Sequence, residues 1–462
     1  MKALLLALVL FAAGACAVIL FVASTRPEVT IDPAVKIVGF DTPVHVHLEN
    51  GHTLRSIQAS IDQDGKSYPL SSTTEPSKWF VLRGHETPRD ITFNAGRKEA
   101  PGLHDGKATL VVTAVSNDLR AQANSASADV DVMLAPPHVA ADGAQHYINQ
   151  GGSEMVVFTP SGSWSEAGVK VGDRAFRSFP LPDHPGQYFS LFAFSWDLPV
   201  DTPISVYATN AGGGVAKTGF WYKVFPKKFR ASTIPLESMN IDRIVNQIDP
   251  EGKIKGDLVQ RFVYINNTLR KENNQTLADL RKYTEQKFLW TGAFLPMVDS
   301  TVESRFADDR TYTWKGKKVD EQVHLGFDLA KVAHSPIPAS NDGKVVWAQD
   351  LGIYGNCVVI DHGFGLQTLY GHMSEFAVKK GDMVKKGQII GKTGSTGLAG
   401  GDHLHFSMLV DGVQVNAVEW WDPHWIKDRI LSKMGTDLAA DAAPAEPEKP
   451  AATPKRARKK KR

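Results

Sequence analysis

The chain has 462 residues, 42% of them hydrophobic and 22% charged, which excludes a wholly disordered protein and suggests two or three folded units. Its 39 glycines and 26 prolines favour short strands and many turns over long helices. The net charge of +2 conceals a division, because residues 455–462 carry seven basic groups and everything before them is mildly acidic.

Two cysteines, Cys16 and Cys357, leave no disulfide framework, since Cys16 lies inside the apolar N-terminal run. Cys357, in the run Cys357-Val-Val-Ile360, reads as a small buried hydrophobe rather than a catalytic thiol. That N-terminal run, Ala3 to Ser24, has no charge and is long enough to cross a hydrocarbon core of about 30 Å as a helix. A cleaved signal peptide usually has a shorter apolar centre of about 7–15 residues. Residues 1–25 are therefore expected to be a retained signal anchor, ahead of a cleaved signal or a lipoprotein at Cys16. All three export the body of the protein.

Residues 35–135 alternate as strands do, as in Val44-His-Val-His-Leu48 and Ala108 to Val115, with turn signals such as Glu49-Asn-Gly51 between runs. An immunoglobulin-like β domain is expected there. His45 and His47 share a strand face at the spacing of a metal pair, but no carboxylate or third histidine is evidently paired with them, so a solvated face is expected. After Pro136-Pro137, residues 138–230 read as a second β domain rich in aromatics, among them Trp164, Phe176, Phe179, Phe189, Phe192, Phe194 and Trp196. A core role is favoured over sugar stacking on exposed rings. Residues 235–291 change period: Ile241, Ile244, Val245 and Ile248, then Leu258, Phe262, Ile265 and Leu269, each form a helical stripe. Thr276-x-x-Asp279 suggests a capping box for another helix of this connector. Residues 292–430 return to glycine-punctuated β structure, so the fold class is mainly β. Residues 438–462 are Ala/Pro/Glu/Lys-rich and are expected to be a disordered basic tail. Its partner would be an anionic envelope polymer or lipid, with no nucleic acid expected for an exported chain.

Six of the fifteen histidines fall between His324 and His405. The clusters are His324-Leu-Gly-Phe-Asp328, Tyr370-Gly-His372 and Asp402-His-Leu-His405-Phe406. Residues two or four apart on a strand point to one side, so His324 and Asp328 can converge if their segment is extended, and so can His403 and His405. Two imidazoles and a carboxylate suit Zn²⁺ with a fourth position left for water. Either cluster alone is weak. Their order, the intervening Tyr-Gly-His and about eighty residues of β pattern between them strengthen the set.

With those motifs the chain resembles the M23 (LytM/lysostaphin-like) zinc metallopeptidases, of the membrane-anchored murein endopeptidase type, which cut peptide cross-links in bacterial cell walls. The resemblance runs from about Phe294 to Trp425. It rests on Ser304-Arg-Phe306 with Arg310, His324-x-Gly-x-Asp328, Ala339-Ser-Asn-Asp-Gly343, Asp361-His-Gly-Phe-Gly365, Thr368-Leu-Tyr-Gly-His-Met373, Gly391-Lys-Thr-Gly-Ser-Thr-Gly397 and His403-Leu-His-Phe406. It implies an antiparallel M23/LytM-type (duplicated hybrid motif) domain over residues 292–430. It implies one zinc held by His324, Asp328 and His405, with His372 and His403 as the catalytic pair. One of that pair would take a proton from water and the other support the oxyanion; the sequence leaves open which does which.

The expected partner is peptidoglycan, and the expected location is the inner (cytoplasmic) membrane, single-pass, with the catalytic domain in the periplasm. A catalytically silent regulator of another cell-wall hydrolase is the alternative, and a structural envelope-binding protein a further one. The cut bond can be a D-alanyl–diaminopimelate cross-link, which anchoring and export favour, or a glycine bridge. His362 is expected to shape the turn at Gly363 and His334 and His424 to lie in loops or ends; for Tyr312 and Tyr354 a structural role is favoured over contact with substrate, and the substrate-binding residues stay unknown. The position of Pro235 to Trp290 just before the hydrolase domain suggests a further hypothesis, that the connector packs over the metal groove and limits activity until displaced.

Overall fold

The computed structural model describes residues 2–77 and 88–434; the basic tail lies outside the described residues. The chain divides into two compact units. One comprises Met1–Ala140, Thr159–Gly168 and Ser205–Gly219, the other Ala141–Phe158, Val169–Ile204 and Phe220–Arg462.

The first unit begins with the helix Lys2–Ala23, whose stretch Leu4–Ala23 is long and apolar enough to cross a membrane and is almost wholly exposed. A β-sandwich follows. A three-stranded sheet is built from Glu28–Ile31, Thr42–Glu49 and Arg89–Ala95. A five-stranded sheet is built from Ile37–Val38, Ala123–Val132, Gly106–Ser116, Leu54–Gln63 and Lys66–Thr74. The alternation of Val44, Val46 and Leu48 sends every second side chain into a core shared with Ile57, Ile61, Leu110 and Val112. His45 and His47 therefore face outward. His45 Nδ1 lies 2.8 Å from Thr92 Oγ1, and His47 lies 2.7 Å from Asp90 and 3.1 Å from Glu49. A carboxylate thus does stand beside the pair, on a strand face that stays solvated.

In the second unit Ser153 to Phe158 pair antiparallel with Tyr188–Ala193. Phe176, Phe179, Phe189, Phe192 and Phe194 are buried, so these rings are core. Phe189 meets Phe288 and Phe364 at 5.5 and 5.1 Å between centroids. Polar contacts bind this segment to the C-terminal helices. Buried Glu419 accepts from Asn149 Nδ2 (2.8 Å) and Ser153 N (2.9 Å), and Lys433 pairs with buried Glu154 at 2.8 Å. Removing one partner would leave the other a buried, uncompensated charge.

The connector forms the helices Ile241–Ile248, Leu258–Tyr264 and Arg270–Asp279, the last two joined by a π-helical turn, Ile265–Leu269. The predicted stripes are the buried ones: Ile241, Val245, Phe262 and Ile265 pack with Leu277, Val359, Leu369 and Leu409. The expected cap at Thr276 is not formed. Thr276 lies inside Arg270–Asp279 with its hydroxyl bonded to Glu272 O, and the capping box is made by Asp257 and Gln260 instead.

The main sheet orders its strands Thr301–Ser304, Phe327–Ala330, Leu404–Val410, Leu366–Gly371, Asn356–Gly363, Gly343–Asp350 and Met383–Val384, all antiparallel, with Val413–Val415 paired to Leu404–Val410. Leu404–Val410 is buried throughout, as a central strand covered on both faces must be. His362 lies within Asn356–Gly363, not in the turn. It is fully buried, 2.7 Å from Asp342 O and 2.8 Å from Thr368 Oγ1, and burial lowers its pKa to about 4. Cys357 is buried too, and burial pushes its thiol far up, which makes it inert.

Candidate active site

Strand register assembles the site. Asp328 pairs directly with His405, His405 pairs on its other side with Gly371, and His372 follows at once. Asp308 pairs with His324, and His403 bridges Gly394. His324 ends the strand Lys317–His324 while Asp328 opens onto the next, so they converge across the break at Leu325-Gly326 rather than along one extended strand. Gly326 is required there, because a Cβ would lie 2.6 Å from the His405 ring. His372 holds φ = +61°, a left-handed conformation unfavourable for a side chain of this size and common at functional sites. Its backbone N–H is fixed to Tyr354 O at 2.8 Å.

All five predicted histidine and aspartate side chains are buried and line one cavity of about 410 Å³. His324 Nε2, Asp328 Oδ1 and His405 Nδ1 converge at 3.0 Å (His324–His405), 3.0 Å (His324–Asp328) and 3.1 Å (His405–Asp328). Neighbours decide which nitrogen points inward. His324 Nδ1 lies 3.1 Å from Arg305 O, an acceptor only, so Nδ1 carries the hydrogen and Nε2 the lone pair. Ser407 donates to Leu325 O at 2.8 Å, so its oxygen accepts from His405 Nε2 at 3.0 Å and leaves Nδ1 as the lone pair. Three electron pairs thus face each other over about 3 Å, an arrangement a bound cation reconciles. Among the described residues this is the one His/Cys/Asp/Glu group able to hold a metal ion.

The other two imidazoles are oriented in the same way. His372 Nδ1 lies 2.8 Å from Thr396 O and His403 Nδ1 lies 3.0 Å from Gly401 O, so each offers Nε2 to the cavity, their ring centroids 4.8 Å apart. Burial, then the charges of His403 and His405, push His372 well below the usual histidine range. Burial lowers His405 to about 4. Burial alone would raise Asp328, but with no cation present a protonated His324 and N–H bonds from the histidines take the cation's place and hold its carboxyl well down. Arg310 adds a bond to Asp328 Oδ2 at 2.8 Å.

Tyr312 and Tyr354 line the cavity, but the Tyr354 hydroxyl turns away to Asn274 and Gln414, leaving its ring against His405 at 5.4 Å. His334 and His424 are exposed and outside it. Sequence reasoning placed the connector over the groove but missed Ser407 and the connector residues that reach the cavity. Ser407 follows His405 by two, the strand spacing that puts both on one side. Met239 and Arg270 of the connector line the cavity, and Arg243 donates to Ser395 O (2.8 Å) and Ala399 O (2.6 Å) of the loop leading to His403.

Sequence comparison places this domain in a class. Residues 322–417 match Peptidase family M23, and the C-terminal domain is of that family. Among curated relatives, the DD-carboxypeptidase/endopeptidase Mpg of Neisseria meningitidis serogroup B is 36% identical over 126 residues, covering 27% of this chain and 27% of Mpg. Peptidoglycan DD-endopeptidase ShyA of Vibrio cholerae is 44% identical over 96 residues, covering 21% of this chain and 22% of ShyA. The chain spans about a quarter of the length of these relatives. The catalytic domain of a mutant of the prophage-encoded M23 protein EnpA from Enterococcus faecalis, a solved structure, aligns at 33% identity with a TM-score of 0.23, covering 27% of this chain and 95% of that one.

Proposed function

We propose that this protein is a membrane-anchored zinc metalloendopeptidase that hydrolyses peptide cross-links of bacterial peptidoglycan. The observation that carries the proposal is the set of three inward lone pairs, on His324, Asp328 and His405, beside two further imidazoles in one cavity. Two nitrogens and one oxygen suit zinc, and a tetrahedral zinc with bonds of about 2.0–2.1 Å spaces its ligand atoms about 3.3 Å apart, near the separations here. When bound, zinc supplies a Lewis acid and lowers the pKa of a water toward about 7. The similarity to ShyA, a peptidoglycan DD-endopeptidase by name, supports the substrate class.

The protein's own residues supply the proton path. With Nδ1–H committed to carbonyls, His372 and His403 each present Nε2. As a lone pair it takes a proton from attacking water; once protonated it donates to the oxyanion or the leaving amine. Arg310 and Ser407 hold Asp328 and His405 in their inward orientation. The N-terminal helix would keep this domain at the envelope side of the membrane.

Digestion of isolated peptidoglycan with and without a chelator, followed by mass spectrometry of the muropeptides, tests the proposal. Chelator-sensitive release of cross-link fragments is expected. A zinc-loaded protein that leaves peptidoglycan intact would return the chain to the class of silent regulators.

A further inference from the structure

The connector contributes to the cavity a cation that none of the carboxylates lining it, Asp328 and Glu303, contacts as an ion pair. Arg270 is half-buried between two cavities, lining both the one that holds the five site residues and a neighbouring one with Asp309 and Glu321. Its hydrogen bonds run to one residue: Nε to Asn266 O at 3.0 Å and Nη2 to Asn266 Oδ1 at 2.6 Å. A guanidinium has five N–H donors, so most of its far edge is unused. Among the described residues no carboxylate forms an ion pair with it. The other arginine of the cavity is spent: Arg310 holds Asp328 Oδ2 and Ser304 Oγ.

The support beneath Arg270 is rigid. Asn266 is fully buried and its amide donates to buried Asp320 Oδ2 at 2.8 Å. Both Asn266 and the approach to Arg270 lie in the π-helical turn Ile265–Leu269, a distortion that recurs at functional sites. A half-buried cation held in place without a counter-charge costs free energy that an anionic ligand returns. A planar guanidinium with a free edge matches a carboxylate in two parallel hydrogen bonds.

We propose that Arg270 binds the free α-carboxylate of the substrate residue on the amine side of the scissile bond. This rests on the peptidase proposal and narrows it. A D-alanyl–diaminopimelate cross-link carries such a carboxylate, and a peptide bond inside a glycine bridge does not. The site therefore selects the former, and the selecting residue stands outside the segment that matches the family.

The test uses the full chain in detergent, loaded with zinc, and two soluble muropeptide dimers that differ only in whether this carboxylate is free or amidated. For the unmodified protein, amidation is expected to lower kcat/KM on the order of 10–100-fold. Arg270→Gln is expected to show the same loss on the free-carboxylate dimer, no further loss on amidation and unchanged zinc content. Arg270→Lys should recover part of the rate, since a point charge replaces the fork. Equal rates of the unmodified protein on both dimers, or an Arg270→Gln variant that still discriminates, would overturn the proposal while leaving the peptidase intact. Zinc loss in Arg270→Gln would assign it a structural role and overturn it too. If the zinc-loaded protein cleaves neither dimer nor whole peptidoglycan, the peptidase proposal itself fails.

Discussion

Two His-x-His pairs in this chain have the same spacing and different fates. His45 and His47 stand on the outer face of the N-terminal sandwich, and His403 and His405 at the floor of a cavity. Both pairs have a carboxylate in reach: Asp90 lies 2.7 Å from His47, and Asp328 lies 3.1 Å from His405. The difference lies in what confines them. The side chains of His47 and Asp90 are 40% and 84% exposed, so water competes for every bond and a third ligand has no fixed place. His405 is buried, its outer nitrogen is tied to Ser407, and strand pairing places Asp328 opposite it. Spacing suggests a metal site; burial and the second hydrogen bond of each imidazole give the C-terminal pair the fixed geometry that such a site requires.

The largest expected effect separates the pairs outright. His405→Ala should lose zinc, measured by elemental analysis, and with it all cleavage of peptidoglycan, whereas His47→Ala should change neither. A His405→Ala protein with full zinc occupancy would break the comparison. Next, His372→Ala should keep zinc and lose about 100- to 10,000-fold in cleavage rate, the range for removing a general acid–base group. Wild-type cleavage by that variant would remove His372 from the chemistry.

A smaller effect probes the support of the ligands. Ser407→Ala leaves His405 Nε2 without its acceptor, so the ring can turn or change tautomer. Zinc affinity, measured by competition with a chelator, should fall by about 10–100-fold, as when other supporting residues are lost. Arg310→Gln should act in the same direction through Asp328.

Much of this was legible in the sequence, for particular reasons. The five site residues sit in motifs whose order carries the information, and the alternation around Val44–Leu48 marks a sandwich strand directly. The helical stripes of the connector are likewise the faces that bury. Other features depend on the fold. His324 and Asp328 look like one strand face but meet across a break that Gly326 permits. Arg270 precedes Lys271, Glu272, Asn273 and Asn274, which read as a solvated face, and only tertiary packing shows that it lines the cavity. The partners of Glu419 lie more than two hundred residues away, beyond any local pattern.

The smallest effect concerns protonation, and it distinguishes the pairs without any substrate. The hydrogen bonds of His47 to Asp90 and Glu49 raise its pKa above 6.5. Its charged form is therefore favoured by folding, and that contribution is complete below pH 6.5 and lost as pH rises through the raised folded value. In chelated, metal-free protein His405 goes the other way, since burial lowers it to about 4. Folding then favours its neutral form, a contribution complete above pH 6.5 and lost as pH falls through about 4. Imidazole resonances followed by NMR should show His47 titrating above pH 6.5 while His405 stays neutral down to about pH 4. If the two titrated together near 6.5, neither the carboxylates around His47 nor the burial of His405 would set their protonation. The contrast between the pairs would then rest on strand geometry alone.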